Sequence, residues 1–399
     1  MNLRLEPAKL AGKVQAIPSK SMAHRLLLCA ALADRETKII CPLSSRDIEA
    51  TVRCLEAMGA SLWRQDGGFK VFPMRTARDC ILPCGESGST LRFLLPVAAA
   101  LGLRCSFRME GRLPYRPIAP LEREMTAHGV IFDHSERNVI TISGKLLPGL
   151  YTLPGNISSQ FISGLLFALP LLAGESRLRL SGRLESAPYV DMTLSSLQTF
   201  GVCIKRQQQE FLIRPSDFKS PGATIVEGDW SCAAFWHAAN ALGSSIRIFG
   251  LNAGSPQGDR TVLRELSRLG SDASIDAADI PDLIPVLAVA ATAAAGQTHF
   301  INAGRLRLKE SDRIEAVKKL ILSLGGQAQS DRDSLTVVGT GLSGGMADPL
   351  GDHRIAMSAA IAATVSKGPV TILGAECVSK SYPGFWNDYA ALGGILEEV

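Results

Sequence analysis

The chain has 399 residues, of which 46% are hydrophobic and 20% are charged, and its formal net charge at pH 7 is +4. This length predicts two domains rather than one, each able to bury a sizeable core. The small net charge argues against a general nucleic-acid binder, which carries a stronger basic excess, so any strongly positive site must be local.

The nine cysteines and six histidines are scattered along the chain. Their spacing does not suit a zinc site and favours free thiols in a reducing compartment. Met1 leads into a segment without the apolar stretch of a signal peptide. The longest apolar runs, 283–295 and 161–173, are too short to span a bilayer. We therefore expect a cytoplasmic protein that needs no metal and binds neither membrane nor nucleic acid.

Six segments share one pattern: a polar start suited to capping a helix, an Ala- and Leu-rich helix, usually a Gly, and then a strand. They begin near residues 19, 86, 157, 228, 280 and 351. A second, more amphipathic helix follows and usually ends at a Gly suited to a left-handed C-cap, as at Gly59, Gly201, Gly270 and Gly325. The pattern predicts six strand–helix–strand–helix–strand units, three in each half of the chain.

The first helix of every unit is apolar nearly all round and is predicted to be buried. Its polar start is then the end that reaches a surface. A helix N-terminus offers N–H groups without partners and a partial positive charge, both of which suit an anion. If the six starts converge, they face one anion-binding cleft.

Basic residues gather at or near these helix starts, where they oppose the helix dipole and are normally avoided. A single one would be a solvated surface charge, but the set favours a polyanionic ligand. The residues are Lys20, Arg25, Arg92, Arg116, Lys309, Arg313, Arg354 and Lys380.

Charge is concentrated in residues 305–313, where six of nine side chains are charged. Leu306 and Leu308 alternate with basic residues, which predicts a half-buried strand. In this interpretation Arg305 and Arg307 are solvated.

A helix is predicted to follow, because Asp312 with Glu315 fits a capping box. Lys309, Glu310 and Arg313 would then lie together at the strand–helix junction. A carboxylate between two cations stays ionised until a reaction needs it. Glu310 could therefore be an acid/base group or part of a structural salt bridge, and the pattern leaves both open.

Two further stretches suggest site residues. Asp282 precedes a buried helix, as an N-cap or as a second acid/base group. Ser158, Ser159 and Gln160 stand at a helix start, as caps or as donors to a phosphate. Gly88, in a turn of small residues, would let a ligand approach the backbone closely.

Together these residues resemble the 5-enolpyruvylshikimate-3-phosphate synthases, a family of enolpyruvyl transferases, over essentially the whole chain. The motifs that carry the resemblance arrive in order: SKSMAHR, GESGSTLRF, YRPI, GNISSQF, ESAPYVDMT, VEGDWS, IPDLIP, LRLKESDRI, GDHRIAM and KSYPGF. Ser89 stands where Thr is usual, and Ala23 and His24 stand where Ser and Asn are frequent. The last two change the expected hydrogen bonding around Arg25.

The resemblance implies an α/β (α+β) fold of two similar domains, each of three βαβαββ repeats, with the active site in the cleft between them. It also implies that the chain crosses twice between the domains. We expect residues 1–14 with 228–399 to form the C-terminal-half domain and residues 15–227 the N-terminal-half domain.

The implied reaction moves the carboxyvinyl group of phosphoenolpyruvate to the 5-hydroxyl of 3-phosphoshikimate (shikimate 3-phosphate). Phosphate leaves after an addition–elimination through a tetrahedral intermediate, in the pathway to chorismate and the aromatic amino acids. No cofactor is implied, because charges and helix ends would supply the electrostatic stabilisation. A monomer is expected.

Residue roles follow from the resemblance, motif by motif. Asp282 is the implied base for the 5-hydroxyl, and Glu310, together with Lys20, would handle the proton at the methylene carbon. The implied ligands of shikimate 3-phosphate are Lys20, Ser21, Arg25, Ser158, Ser159, Gln160, Ser186, Asp282 and Lys309. Those of phosphoenolpyruvate are Lys20, Gly88, Arg116, Gln160, Arg313, Arg354 and Lys380.

Two alternatives carry different expectations. The sister family that acts on UDP-N-acetylglucosamine has a reactive Cys before its Arg-Pro motif, whereas this chain reads MEGRLPYRP there. That family's early Lys-Asn pair is also replaced, by Lys20 and Ser21. A catalytically inactive anion-binding homologue would be favoured if Asp282 or Glu310 were substituted, and both are present.

Overall fold

The computed structural model describes residues 1–399. The chain forms two compact units. One is Pro18–Val226, called here the N-half unit, and the other is Met1–Ile17 with Glu227–Val399, called the C-half unit. All nine cysteines are free thiols, and no helix has the length and apolar character that crossing a bilayer requires.

The strands in chain order are β1 (Leu3–Glu6), β2 (Ala11–Gln15), β3 (Thr37–Ile40), β4 (Ser61–Gln65), β5 (Gly68–Phe72), β6 (Cys80–Gly85), β7 (Cys105–Met109), β8 (Val130–Asp133), β9 (Val139–Gly144), β10 (Leu150–Pro154), β11 (Ser176–Ser181), β12 (Lys205–Gln207), β13 (Glu210–Ile213), β14 (Ala223–Ile225), β15 (Ser245–Phe249), β16 (Ala273–Asp276), β17 (Gln297–Ile301), β18 (Gln327–Ser330), β19 (Leu335–Val338), β20 (Gly345–Ala347), β21 (Val370–Ile372) and β22 (Ile395–Glu398).

The α-helices are α1 (Lys20–Ala31), α2 (Arg46–Ala57), α3 (Gly88–Ala100), α4 (Ala119–Ala127), α5 (Ser159–Ala168), α6 (Ala187–Thr199), α7 (Trp230–Ala241), α8 (Val262–Leu266), α9 (Ile284–Ala291), α10 (Arg313–Ser323), α11 (His353–Ala363) and α12 (Phe385–Ala391).

One sheet topology recurs in both units. The N-half unit contains the four-stranded sheets β14-β3-β5-β4, β6-β7-β9-β8 and β10-β11-β13-β12, and the C-half unit contains β16-β17-β19-β18 and β20-β21-β1-β22. In each sheet the first two strands pair in parallel and the other pairs are antiparallel. The predicted α/β fold of βαβαββ repeats is thereby confirmed. The remaining C-half repeat is reduced to the parallel pair β15-β2.

The first residues of the chain are part of the C-half unit because they complete its sheets. Strand β1 lies between β21 and β22, with Leu3 opposite Ile372 and Glu398. Strand β2 pairs in parallel with β15. In the N-half unit, β14, near the end of Pro18–Val226, pairs with β3, near its start.

The polar helix starts predicted from sequence are caps in five of the six repeats. Side chains at these starts accept a hydrogen bond from a backbone N–H of the first turn: Ser19, Ser87, Ser158, Asp229 and Asp352. The start of α9 is the exception, because its N-cap is Leu283, which offers no side-chain bond, and a Pro lies in its first turn. The interpretation of Asp282 as an N-cap is therefore wrong.

The glycines predicted to end the second helices adopt the backbone conformation that this position requires. Gly59, Gly201, Gly270 and Gly325 have φ of +113°, +79°, +85° and +80°. An L side chain is strained in this region, whereas Gly is not. Gly59, Gly201 and Gly325 directly follow the C-caps of their helices and turn the chain toward the next strand. Gly270 lies three residues after Ser267, the C-cap of α8, so the prediction that it ends this helix is wrong.

The strand predicted for residues 305–309 is wrong. Gly304–Leu308 form a 3-10 helix in which Leu306 is buried and Leu308 is 41% exposed. Arg307 is not a solvated charge either, because it donates to the carbonyl of Arg332 at 3.0 Å and to Asp312 at 2.8 Å. The predicted cap is present, since Asp312 accepts from the N–H of Glu315 at 3.2 Å.

Candidate active site

The start of α9 holds a carboxylate that two guanidiniums share. Asp282 accepts from Nη1 of Arg313 at 2.7 Å and from Nη2 of Arg354 at 2.9 Å. The Nζ of Lys309 lies 3.7 Å from the same carboxylate. Asp282 does not cap α9, and its side chain lies among these three cations, whose positive charges favour a carboxylate.

Arg313 connects the carboxylates of this cluster, and its side chain is only 1% exposed. Besides Asp282 it donates to Glu310 at 2.7 Å and to Asp352 at 2.8 and 3.4 Å. A guanidinium has five N–H donors, so these four bonds leave one, on Nη1, for a ligand. Arg313 therefore organises three carboxylates at the starts of α9, α10 and α11.

The charged groups around Asp282 have shifted proton affinities. Burial lowers the pKa of Lys309 to about 8; Asp282 opposes this shift, and the positive charge of Arg313 adds to it. Burial raises the pKa of Asp352, but the charge and hydrogen bonds of Arg313 together with His353 outweigh it, and the net pKa lies below its ordinary value. Lys309 is thus the cation of this cluster whose charge changes closest to neutral pH.

A second buried carboxyl lies near Asp282. Asp259 is 2% exposed and accepts a hydrogen bond from the hydroxyl of Ser231 near the start of α7. Burial raises its pKa to about 7; the negative charge of Asp282 adds to this rise, and Arg354 acts against it. Asp259 is therefore half protonated near neutral pH. Lys380 lies at the edge of the same unit and donates to the carbonyl of Gly351 at 3.0 Å.

In the N-half unit, Lys20 and Arg25 lie on the first turns of α1. The Nζ of Lys20 pairs with Asp47 on α2 at 2.8 Å, and both side chains are partly exposed. Arg25 is buried, and burial lowers its pKa to about 10. It donates to the carbonyls of Ser21 and Tyr189 at 2.7 and 2.8 Å. Lys20 thus reaches the surface, whereas Arg25 ties α1 to α6.

The starts of α3 and α5 meet through Gln160. Its amide donates to the hydroxyl of Ser89 at 3.0 Å and accepts from Arg92 at 2.8 Å. Arg92 also donates to the carbonyl of Pro117 at 3.2 Å and so holds the residue next to Arg116. A Cβ built on Gly88 would lie 2.9 Å from Nη1 of Arg116. Gly88 therefore allows this guanidinium to lie against the backbone.

Three predicted serines lie at helix starts in the N-half unit. Ser158 caps α5 and accepts from the N–H of Gln160 at 3.3 Å. Ser186 precedes α6 in the left-handed conformation, with φ of +55°. Ser159 is the first residue of α5 and is buried. All three lie at helix starts, as the sequence predicted.

The structure brings the predicted residues together within each unit. Asp282, Lys309, Glu310, Arg313 and Arg354 form one cluster. Gly88, Gln160 and Arg116 are brought together around Ser89 and Arg92 in the N-half unit, where Lys20 and Ser21 begin α1.

Sequence reasoning missed several polar residues of these clusters: Asp47, Asp259 and Asp352. Asp352 is in the GDHRIAM motif and at a helix start, a signal that could have found it. Asp259 has no such signal, because its stretch, QGDR, is indistinguishable from an exposed loop. No group of three or more His, Cys, Asp or Glu side chains is placed to hold a metal ion.

Comparisons with known proteins agree over the whole chain. Residues 5–279 and 269–389 match the family model of EPSP synthase (3-phosphoshikimate 1-carboxyvinyltransferase). A 3-phosphoshikimate 1-carboxyvinyltransferase from Clostridium kluyveri is 39% identical, over 99% of this chain and 98% of the relative. A protein of the same name from Clostridium perfringens is 40% identical, over 99% of both chains.

Solved structures agree in fold. The EPSP synthase of Acinetobacter baumannii aligns over the full length of both chains with a TM-score of 0.81 and 23% identity. The enolpyruvyl transferase NikO of Streptomyces tendae aligns over 100% of this chain and 98% of its own, with a TM-score of 0.78 and 17% identity. At these identities the likeness concerns the fold alone.

Proposed function

The chain belongs to the EPSP synthase (3-phosphoshikimate 1-carboxyvinyltransferase) family, and we propose that it transfers the carboxyvinyl group of phosphoenolpyruvate to the 5-hydroxyl of shikimate 3-phosphate. The observation that carries the proposal is the Asp282 carboxylate, held by Arg313 and Arg354 at 2.7 and 2.9 Å. It joins a group able to accept a proton to cations able to bind an anionic substrate.

In the addition step, the oxygen of the 5-hydroxyl forms a bond to C2 of phosphoenolpyruvate while its proton passes to Asp282. The methylene carbon takes up a proton from Glu310 or Lys20. Anionic groups of phosphoenolpyruvate compete with Asp282 for Arg313 and Arg354, so the carboxylate becomes available to the hydroxyl proton. The product of this step is a tetrahedral adduct at C2.

In the elimination step, the bond from C2 to the phosphate oxygen breaks, and the former methylene carbon returns its proton to the group that supplied it, Glu310 or Lys20. The proton held by Asp282 goes to the leaving phosphate. The products are the enolpyruvyl ether and inorganic phosphate. Cations already in place stabilise the negative charge on the leaving phosphate without having to reorganise, which is the largest catalytic term in many enzymes. Lys309, whose pKa is about 8, adds a positive charge that diminishes above that pH.

The binding roles proposed here are those that the resemblance to the family implies. Shikimate 3-phosphate is assigned to Lys20, Ser21, Arg25, Ser158, Ser159, Gln160, Ser186, Asp282 and Lys309. Phosphoenolpyruvate is assigned to Lys20, Gly88, Arg116, Gln160, Arg313, Arg354 and Lys380. Helix starts and exposed ammonium groups support this assignment, because both favour phosphate and carboxylate oxygens.

Phosphate release tests the function directly. The purified protein is assayed with shikimate 3-phosphate alone, with phosphoenolpyruvate alone, and with both. We expect release only when both are present, in a 1:1 ratio to the enolpyruvyl ether. No release in spite of saturable binding of shikimate 3-phosphate would indicate an inactive anion-binding homologue. Release on addition of UDP-N-acetylglucosamine instead would identify the sister activity.

Gly88→Ala should raise the KM for phosphoenolpyruvate about 10- to 100-fold, because a hydrogen bond to a charged group contributes about 1.5–3 kcal/mol. The added Cβ would lie 2.7 Å from Nη1 of Arg92 and 2.9 Å from Nη1 of Arg116. Both distances are shorter than real Cβ contacts, so at least one of the two guanidiniums has to shift, and the charged groups at the start of α3 change position.

Initial rates at saturating shikimate 3-phosphate measure this KM. Gly254→Ala is the control, because a Cβ there meets only an ordinary contact, 3.4 Å from Asn252. An unchanged KM in the Gly88 variant would show that Arg116 does not bind phosphoenolpyruvate from its present position.

A further inference from the structure

A chain of buried hydrogen bonds crosses three helices of the N-half unit. Nδ1 of His24 on α1 lies 2.7 Å from the hydroxyl of Thr51 on α2. That hydroxyl lies 2.6 Å from the hydroxyl of Thr90 on α3, which donates to Ser87, the N-cap of α3, at 2.7 Å. All four residues are at most 3% exposed. We call these residues the His24–Ser87 chain.

The direction of each hydrogen bond follows from the last one. A hydroxyl has one proton, and that of Thr90 goes to Ser87. Thr51 must therefore donate to Thr90, and since its single proton is then used, Nδ1 of His24 must donate to Thr51. Nδ1 of the imidazole therefore carries a proton, and in the neutral ring this proton is the only one.

The surroundings of the imidazole agree with this state. Nε2 of His24 is buried and has no hydrogen-bond partner, which suits a nitrogen without a proton. Burial lowers the pKa of His24 well below its ordinary value, and the positive charges of Lys20 and Arg25 add to the effect. The ring therefore keeps the single donor that the chain needs across the neutral pH range.

The His24–Ser87 chain links two parts of the proposed site. His24 lies one turn after Lys20 on α1, and Thr51 lies one turn after Asp47 on α2, the residue that pairs with Lys20 at 2.8 Å. At its other end the chain reaches Ser87, which directly precedes Gly88. The hydrogen bonds thus run alongside the Lys20–Asp47 pair and end where the backbone of α3 begins.

We propose that the His24–Ser87 chain is a positioning network that fixes the start of α3 relative to Lys20 for the binding of phosphoenolpyruvate. This inference rests on the function proposed above. None of the four side chains touches the substrate; they act through Gly88 and Lys20. The requirement is geometric, because a displacement of about 1 Å at a reacting group lowers rates by up to about 100-fold.

The kinetic test uses matched substitutions at Thr51. Thr51→Val keeps the side-chain shape without the hydroxyl, and Thr51→Ser keeps the hydroxyl. Thr37→Val is the control, since it removes a buried hydroxyl of the same unit that bonds Ser220 and has no part in the chain.

We expect Thr51→Val to raise the KM for phosphoenolpyruvate about 5- to 10-fold, the effect of one lost neutral hydrogen bond. The KM for shikimate 3-phosphate and the KM values of Thr51→Ser and Thr37→Val should stay within about twofold of the wild type. Equal changes for both substrates, or an equal effect of Thr37→Val, would overturn the positioning role, since a merely destabilised unit would give that result.

A spectroscopic test does not depend on activity. Long-range ¹H–¹⁵N spectra of protein labelled at histidine report the tautomer of each imidazole, and His24→Asn identifies the signals of His24. We expect neutral His24 with the proton on Nδ1 at pH 7, and shifted signals in Thr51→Val. A charged ring, or a proton on Nε2, would overturn the network. A wild type without phosphate release would overturn the proposed function and with it the positioning role, while the spectra would still decide the hydrogen bonding.

Discussion

Asp282→Asn should lower kcat by about 10²- to 10⁴-fold, the range that a positioned general base contributes. Asn has nearly the shape of Asp, but its single amide oxygen can accept from only one of Arg313 and Arg354, which donate to different oxygens of Asp282, and it cannot take the hydroxyl proton. Asp282 does not cap α9, whose N-cap is Leu283, so the loss would not come from the helix. Phosphate release at saturating concentrations of both substrates measures kcat.

Binding should separate this result from a loss of structure. The neutral amide increases the local positive charge by one, so calorimetric titration should show shikimate 3-phosphate binding at least as tightly as in the wild type. Asp312→Asn, at the N-cap of α10, is the matched control. The kcat of this variant should stay within about twofold of the wild-type value, because Asn and Asp are equally good N-caps. A kcat of Asp282→Asn equal to that of this control would rule Asp282 out as the base.

The helix starts could be predicted because their causes are local. Ser19, Ser87 and Ser158 are short polar residues directly before apolar helices, and a cap needs only its own first turn. The glycines that end the second helices are predictable for the same reason. Recurrence of these local signals along the chain predicted the repeats, and with them the α/β fold.

The partners of Asp282 could not be predicted from spacing. Arg313 is 31 residues away and Arg354 is 72 residues away, and only the packing of α9 against α10 and α11 brings the three together. The sequence did not predict a role for Asp259. Its raised pKa comes from burial and from the nearby charge of Asp282, and the residues next to it in the sequence indicate neither. The resemblance to a family named Asp282, Arg313 and Arg354 but not their hydrogen bonds.

The segment 304–308 shows why a short alternating pattern misleads. One buried Leu306 among basic residues satisfies a strand pattern and a 3-10 turn equally well. Long-range hydrogen bonds determine the conformation of this segment. Asp333 accepts from the N–H of Gly304, and the carbonyls of Asp331 and Arg332 accept from Arg307. These partners lie in a distant turn that fixes the segment from outside.

Arg313→Leu should lower the free energy of unfolding of the C-half unit by about 3–5 kcal/mol, the effect of breaking a buried ion pair by removing one partner. Asp352 is fully buried and would lose both of its bonds to the guanidinium. Asp282 and Glu310 would each lose one more. A Leu of similar volume leaves little cavity, so the loss would be electrostatic.

Urea denaturation followed by tryptophan fluorescence measures the free energy of unfolding of the C-half unit. Three of the four tryptophans, Trp230, Trp236 and Trp386, lie in the C-half unit. Arg4→Leu is the control, because its pairs with Glu6 and Glu397 are exposed and such pairs contribute about 0–1 kcal/mol. An equal shift in both variants would show that the buried position of Arg313 is not what stabilises the unit.

The loss of unfolding free energy caused by Arg313→Leu should become smaller as the pH falls. In the wild type Arg313 holds the pKa of Asp352 below its ordinary value against the opposing effect of burial, so this contribution is complete above a pH of about 4 and is lost as the pH falls through the folded pKa. In the variant burial is the largest remaining effect on this carboxyl and raises its pKa, and the negative charge of Glu310 adds to the rise. His353 and the hydrogen bonds from Ser311 and from the N–H of Arg354 act against it. The folded variant then binds a proton that the unfolded chain does not, and it gains stability as the pH falls from 7 toward 5. A stability difference that stays constant over this range would show that Asp352 remains ionised without Arg313 and is stabilised by other donors.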